Sequence, residues 1–196
     1  KLVEMLQSLL VDGGCVGIIR NTVKKAQETA RILEKYFGTK NVKLLHSRFI
    51  SCDRVRKEDT VRSLLGPPQK YLEEERPYKL IVVGTQVMEQ SLDVDFDVLF
   101  TDICPMDLLL QRMGRLHRHR RYKQRPFNLR EATCFIMGIE GETEFDLGST
   151  AVYGMYLLLK TKAFLKKSII MPDDIPKLVQ QSYEDGYDSE MISRLC

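Results

Sequence analysis

Five short runs are almost wholly apolar: CVGIIR from Cys15, VKLLHS from Val42, KLIVVGT from Lys79, DVLFTDI from Asp97 and ATCFIMGI from Ala132. A strand with one face in water alternates apolar and polar residues, whereas a strand covered on both faces does not. The runs therefore predict a mainly parallel sheet with helices on both faces. The segments between them have helical texture. In VKKAQETARILEKYF, Val23, Ala26, Ala30 and Leu33 share one face, Asn21-Thr22 can cap the start and Gly38 ends it. DRVRKEDTVRSLLG supplies a second helix, stopped by Gly66-Pro67-Pro68. Strands and helices in alternation make a doubly wound α/β domain with right-handed crossovers. LVEMLQSLLVDGG predicts an opening helix, and AVYGMYLLLKTKAFL a single long, largely apolar helix after the last strand.

Residues 1–170 are expected to form this domain. From Met171 the texture changes to two prolines and an acidic bias, which predicts a linker or the first part of a following region over 171–196. In doubly wound folds ligands sit beyond the carboxyl ends of the strands. Asn21 and Thr22, His46 to Arg48, Gly84 to Gln90, and the residues from Asp102 onward therefore matter most.

With 196 residues, 43% hydrophobic and 29% charged, the chain is long and apolar enough for a packed core. A net charge of +3 means that any nucleic-acid surface must arise from local clustering. Five scattered cysteines without a CxxC exclude a disulfide framework or zinc site, and favour a reducing, cytoplasmic setting. No apolar run approaches the roughly 20 residues that span a bilayer. The chain begins at Lys1 with no signal-peptide pattern, which suggests a piece of a longer polypeptide.

The densest basic stretch is LLLQRMGRLHRHRRYKQR, from Leu108. Successive helical residues rotate by about 100°. Gln111, Arg115 and Arg118 would thus line one stripe, with Leu109, Met113 and Leu116 on the other side. Gly114 would cost about 1 kcal/mol inside a helix and would let another element approach closely. The same pattern also suits a plain amphipathic helix with a solvated face. The preceding segment, VVGTQVMEQSLDVDFDVLFTD, joins two strands through a polar loop and a short helix. Gly84 and Thr85 leave the strand where a hydroxyl and backbone N–H groups can take a phosphate, and Asp93 could meet a ribose hydroxyl or orient an arginine. Thr85 is equally a helix cap, and Asp93 a turn residue.

In that order, GTQVMEQSLD and Gln111-x-x-Gly114-Arg115-x-x-Arg118 resemble motifs V and VI of the second RecA-like lobe of superfamily 2 helicases. The wording TQVMEQSLDVDFDVLFTDICPMDLLLQRMGRLHRH is similar to the helicase–nuclease of type I CRISPR systems. IIRNTVKKAQE is similar to that family's motif IV, LLHSRFISCDRVRKE to its following block, and PDDIPKLVQQSYED to the passage leaving its second lobe. The resemblance covers nearly the whole chain.

The resemblance implies a RecA-like lobe that completes an ATP site held mainly, with Mg²⁺, by a first RecA-like lobe. Arg118 would then be the arginine finger, Arg115 a second phosphate or interlobe contact, and Gln111 a nucleotide- or water-facing amide. Asp93 would bind the ribose or couple to the arginines, and Thr85 and Gln86 would face nucleic acid, with Glu89 in the same network. Arg48 and Arg54 fit a backbone-binding role on single-stranded DNA, or are simply exposed arginines. Asn21 and Thr22 lie near the DNA track or do no more than cap their helix. Arg120, Arg121, Lys123 and Arg125 are expected in a solvated loop or as a general attraction for DNA. His117 and His119 have no ligand-spaced neighbours, so no metal site is expected. The implied partners are single-stranded DNA and the CRISPR RNA-guided surveillance complex. No Gly-Lys pair, DExx box or His-Asp pair is present, so this chain alone is expected neither to hydrolyse ATP nor to cut DNA. A lobe of another superfamily 2 helicase, or a protein-docking module, are the competing readings.

Overall fold

The computed structural model describes residues 1–67, 76–90 and 92–184. Five strands, β1 (Gly14–Ile19), β2 (Val42–Leu45), β3 (Lys79–Gly84), β4 (Val98–Asp102) and β5 (Thr133–Met137), form one sheet in the order β2-β3-β1-β4-β5. Every pair is parallel, with Ile18 opposite both Val83 and Phe100 at the centre. All five apolar runs become strands, as continuous hydrophobicity demands of a sheet covered twice.

Alternation along β1 divides the core. Val16 and Ile18 face Leu6, Leu10, Ala30 and Leu33 of α1 (Leu2–Leu9) with its C-terminal extension and α2 (Val23–Phe37). Cys15 and Ile19 face the opposite layer with Val61 and Leu65 of α3 (Ser51–Leu65) and Met88 of the short α4 (Val87–Gln90). Helix α2 begins where expected: Thr22 Oγ1 accepts from Lys25 N at 3.3 Å. Pro68, part of the expected stop after α3, lies outside the described residues.

Two helices differ from expectation. The long helix after β5 is split into α6 (Leu147–Tyr153) and α7 (Met155–Phe164), because Gly154 adopts φ 76°, a conformation only glycine takes without strain. The basic stretch is helical only over α5 (Met106–Met113), and Gly114 caps it instead of lying inside it. A Cβ at Gly114 would meet only carbonyls of α5 itself, Gln111 O at 3.2 Å, so no other element exploits the bare backbone.

The start of the expected tail packs back onto the domain. Helix α8 (Ile175–Tyr183) buries Leu178 against Cys104, Met106, Leu109 and Leu110. Tyr183 donates its hydroxyl to Asp107 at 2.5 Å. The rest of that tail, residues 185–196, lies outside the described residues. Among the described residues no helix is long and apolar enough to cross a membrane.

Candidate functional site

The carboxyl ends of β1, β3 and β4 converge on a polar junction. Asn21, at 3% exposure, donates its amide to Ile103 O and Ser149 Oγ, both at 2.7 Å. Its backbone N–H reaches Asp102 at 2.9 Å, and Arg20 lies 3.1 Å from the other oxygen of that carboxylate. Burial pushes the Asp102 carboxyl up, against the pull of Arg20. The Asn21 side chain is thus committed inside the lobe, while Thr22 caps α2. Thr85 is 1% exposed and its N–H is taken by Leu45 O at 3.1 Å, so it offers no free phosphate donor in this lobe. Gly84 before it is required by space: a Cβ would fall 2.3 Å from Met88 Sδ.

Among the described residues the largest wholly buried side chain is Arg112, a residue without a role in the motif comparison above. A buried cation must be paired and hydrogen-bonded. Its Nε donates to Glu89 at 2.5 Å, and Nη1 to Asn21 Oδ1 at 3.0 Å, Thr101 Oγ1 at 2.9 Å and Asp102 O at 3.1 Å. Nη2 donates to the Tyr153 hydroxyl at 3.2 Å. Helices α4, α5 and α6 are therefore tied to the ends of β1 and β4 through one guanidinium. The signal in the sequence is an arginine at the i+3 position from the core residue Leu109, with Glu89 as an upstream acid.

Beyond Gly114 the chain leaves the helix, so Gln111, Arg115 and Arg118 do not form a helical stripe. Strand-like pairing captures it: Phe96 N donates to Arg115 O at 2.9 Å, and His117 N to Phe96 O at 3.0 Å. His117 takes φ 49° in this turn. The loop nonetheless brings Arg115 and Arg118 beside the end of the α4 segment. Arg118 Nε donates to Asp93 at 2.5 Å, and Arg115 Nη2 to Glu89 O at 2.6 Å. Asp93 is partly exposed, and despite its partial desolvation the Arg118 hydrogen bond and charge hold its carboxyl below the usual range. Desolvation, then repulsion from Arg118, make the Arg115 charge harder to hold, and its buried Nε has no hydrogen-bond partner. Arg118 is paired with a carboxylate, whereas the Arg115 guanidinium is bonded to a neutral carbonyl, an arrangement that suits an anion. Gln111 is exposed on α5.

Arg121 and Arg125 are not in a solvated loop. They are 7% and 4% exposed, and with Arg76 they surround two fully buried carboxylates, Asp95 and Asp97. Arg125 Nη2 donates to both oxygens of Asp95 at 2.8 Å, and its Nη1 to Asp97. Arg76 reaches Asp95 and Asp97, each at 3.0 Å. These pairs draw the basic tail down to the start of β4, because a buried carboxylate without a cation would cost several kcal/mol, on the order of 3–5. Only Arg120 and Lys123 of the four remain exposed. His119 lies 3.3 Å from Asp93 and His117 bonds Asp97 O at 3.0 Å. Among the described residues no three His, Cys, Asp or Glu side chains could hold a metal ion.

After β2, His46 stacks on Phe49 at 3.9 Å with Lys57 over the other ring's face region at 4.7 Å. Arg48 is exposed there, and Arg54 pairs with Glu58 at 3.4 Å. Both arginines belong to the segment that runs from β2 into α3. Burial, with Lys57 and Arg48 adding repulsion, holds the His46 imidazole below its ordinary 6.5. Burial also lowers His117 and, against the pull of Asp93, His119. The unfolded chain takes up protons near 6.5, which the folded imidazoles resist, so stability is present above that value and lost as pH falls through the folded ones. Denaturant midpoints are expected to fall between about pH 7 and about pH 5, with a shallower fall in His46→Gln. Equal slopes in the two proteins would count against this role for His46.

This geometry has known counterparts. The family model described as CRISPR-associated nuclease/helicase Cas3, C-terminal, matches residues 12–121. The CRISPR-associated nuclease/helicase Cas3 of Streptococcus thermophilus is 49% identical over 183 residues, covering 93% of this chain and 19% of that protein. The crystal structure of T. fusca Cas3-ATP matches with a TM-score of 0.85 at 33% identity, covering 98% of this chain and 23% of that one. A chain of a CRISPR RNA-guided surveillance complex, pre-nicking, matches with a TM-score of 0.82 at 32% identity, over 98% of this chain and 24% of that one. This chain thus spans about a fifth of the length of the relatives it matches. Its all-parallel sheet is that of the RecA-like C-terminal helicase lobe, and the chain belongs to the Cas3 C-terminal family of CRISPR-associated nuclease/helicases.

Proposed function

We propose that this lobe is the second half of an ATP-driven motor that translocates on single-stranded DNA during CRISPR interference. The observation that carries the reading is the loop after α5, which holds Arg118 on the Asp93 carboxylate and Arg115 on the neutral Glu89 carbonyl. Catalysis of phosphoryl transfer is largely positioning and charge stabilisation, which is what preset guanidiniums supply. Arg118 is the finger on the terminal phosphate, and Arg115 the second phosphate or interlobe contact. Gln111 faces the nucleotide or its water. Asp93 orients Arg118, and on closure of the lobes it is available to a ribose hydroxyl.

The residues present fit one side of a nucleotide site. The phosphate-binding loop and the Mg²⁺ ligands belong to the first RecA-like lobe. Arg48 and Arg54 contact the DNA backbone, with Gln86 and Thr22 bordering the same track, while Asn21 and Thr85 shape it from inside the lobe. The recruiting partner is a CRISPR RNA-guided surveillance complex. In the full-length protein, ATP hydrolysis is expected to be stimulated by single-stranded DNA, and Arg48→Ala with Arg54→Ala to weaken DNA binding and flatten its salt dependence by up to about two phosphate contacts. A full-length protein whose hydrolysis ignores DNA would overturn the motor reading.

A further inference from the structure

Tyr153 is the last residue of α6, outside the span 12–121 that the family model matches and outside both motif loops. Its hydroxyl is nevertheless where side chains from the two loops meet. Arg112 Nη2 donates to it at 3.2 Å, and Gln86 Nε2 at 3.4 Å. The Nε and Nη1 donors of Arg112 are engaged by Glu89, Asn21, Thr101 and Asp102, and Tyr153 is the partner of Nη2. Glu89 then passes the constraint on, since its carbonyl holds Arg115 at 2.6 Å.

We propose that Tyr153 is a positioning residue whose hydroxyl sets the spacing between the Gln86 loop and the arginine-bearing segment after α5. The proposal rests on the motor reading above and deepens it. A phenol suits the task because it accepts two hydrogen bonds in a half-buried place without adding a charge. The ring itself packs with Ile103, Phe145, Leu158 and the α5–α8 cluster. Helix α6 is held independently of the hydroxyl: Asn21 bonds Ser149, Lys25 pairs with Asp146, and Asp146 caps the helix by accepting from Ser149 N at 3.1 Å. Phenylalanine at 153 would therefore keep the packing and the helix, and remove only the shared acceptor. Arg112 Nη2 and Gln86 would each lose that acceptor. Gln86 Nε2 keeps Asn21 O at 3.2 Å and Arg112 keeps Asn21 and Glu89, so the Gln86 loop and α5 stay linked through Asn21 but lose their direct shared contact.

The test is steady-state ATP hydrolysis by the full-length protein, with and without single-stranded DNA. For Tyr153→Phe the unstimulated rate and the KM for ATP are expected within about twofold of wild type, and the DNA-stimulated kcat about tenfold lower. Adding Gln86→Ala to Tyr153→Phe is expected to cost less than Gln86→Ala costs alone, since the two share one contact. An unchanged ratio of stimulated to unstimulated rate, or a parallel fall in both with a lower Tm, would overturn the positioning role. Stimulated wild type with an unaffected Tyr153→Phe sinks this inference alone. A wild type that DNA does not stimulate sinks the motor reading and this inference with it.

Discussion

Replacing Arg118 with alanine in the full-length protein is expected to lower kcat for ATP hydrolysis by about 10³-fold or more, the range of an arginine finger. The loss should appear with little change in stability. The Arg118 side chain is 40% exposed and its partner Asp93 47%, so their ion pair is screened by solvent and contributes little to folding. On the proposed reading, the catalytic cost arises because the cation is preset where charge accumulates during transfer and water cannot replace it there. Arg118→Lys is expected to recover only part of the activity, since a lysine lacks the planar fork that reaches two oxygens together. Wild-type kcat in Arg118→Ala would remove the finger from this residue.

The opposite pattern is expected at Arg112. Its side chain and that of Glu89 are 0% and 1% exposed. Truncation to alanine leaves a carboxylate buried without its cation and opens a void the size of the largest wholly buried side chain. Breaking such a pair costs about 3–5 kcal/mol, a large part of the stability of a domain this size. A denaturant titration of Arg112→Ala should show the drop directly. Glu89→Gln in that background should recover part of it by removing the stranded charge. A variant as stable as wild type would mean that the cluster relaxes or hydrates, contrary to the packing described.

The sheet is legible in the sequence because its central strands β1, β3 and β4 are buried on both faces and so carry a continuous apolar signature, which the partly buried edge strands β2 and β5 share. The motif loops are legible because their residue order is unusual. What escapes is set by partners distant along the chain. Arg121 and Arg125 resemble solvated charges until Asp95 and Asp97, about 30 residues earlier, are brought beneath them. Arg112 looks like one more basic residue until Asn21, 91 positions away, accepts from it. A helical count through Gly114 fails for a related reason: Phe96 competes for the backbone of Arg115 and His117, and pairing with a strand wins over continuing the helix. Gly154 is the exception, since a glycine within an apolar helical run is itself a local warning, and at φ 76° it divides that run in two.

The pairing of Phe96 with the Arg115–His117 backbone also decides how the arginines travel. They are fastened to the run that enters β4, in effect a sixth ribbon beside the sheet, rather than carried on a free loop. Their reach is therefore a fixed dimension of the lobe. On the proposed motor reading, whether they touch a phosphate is then decided by the angle between the two lobes, as in hinge closure, and the arginines serve as a gauge of that angle.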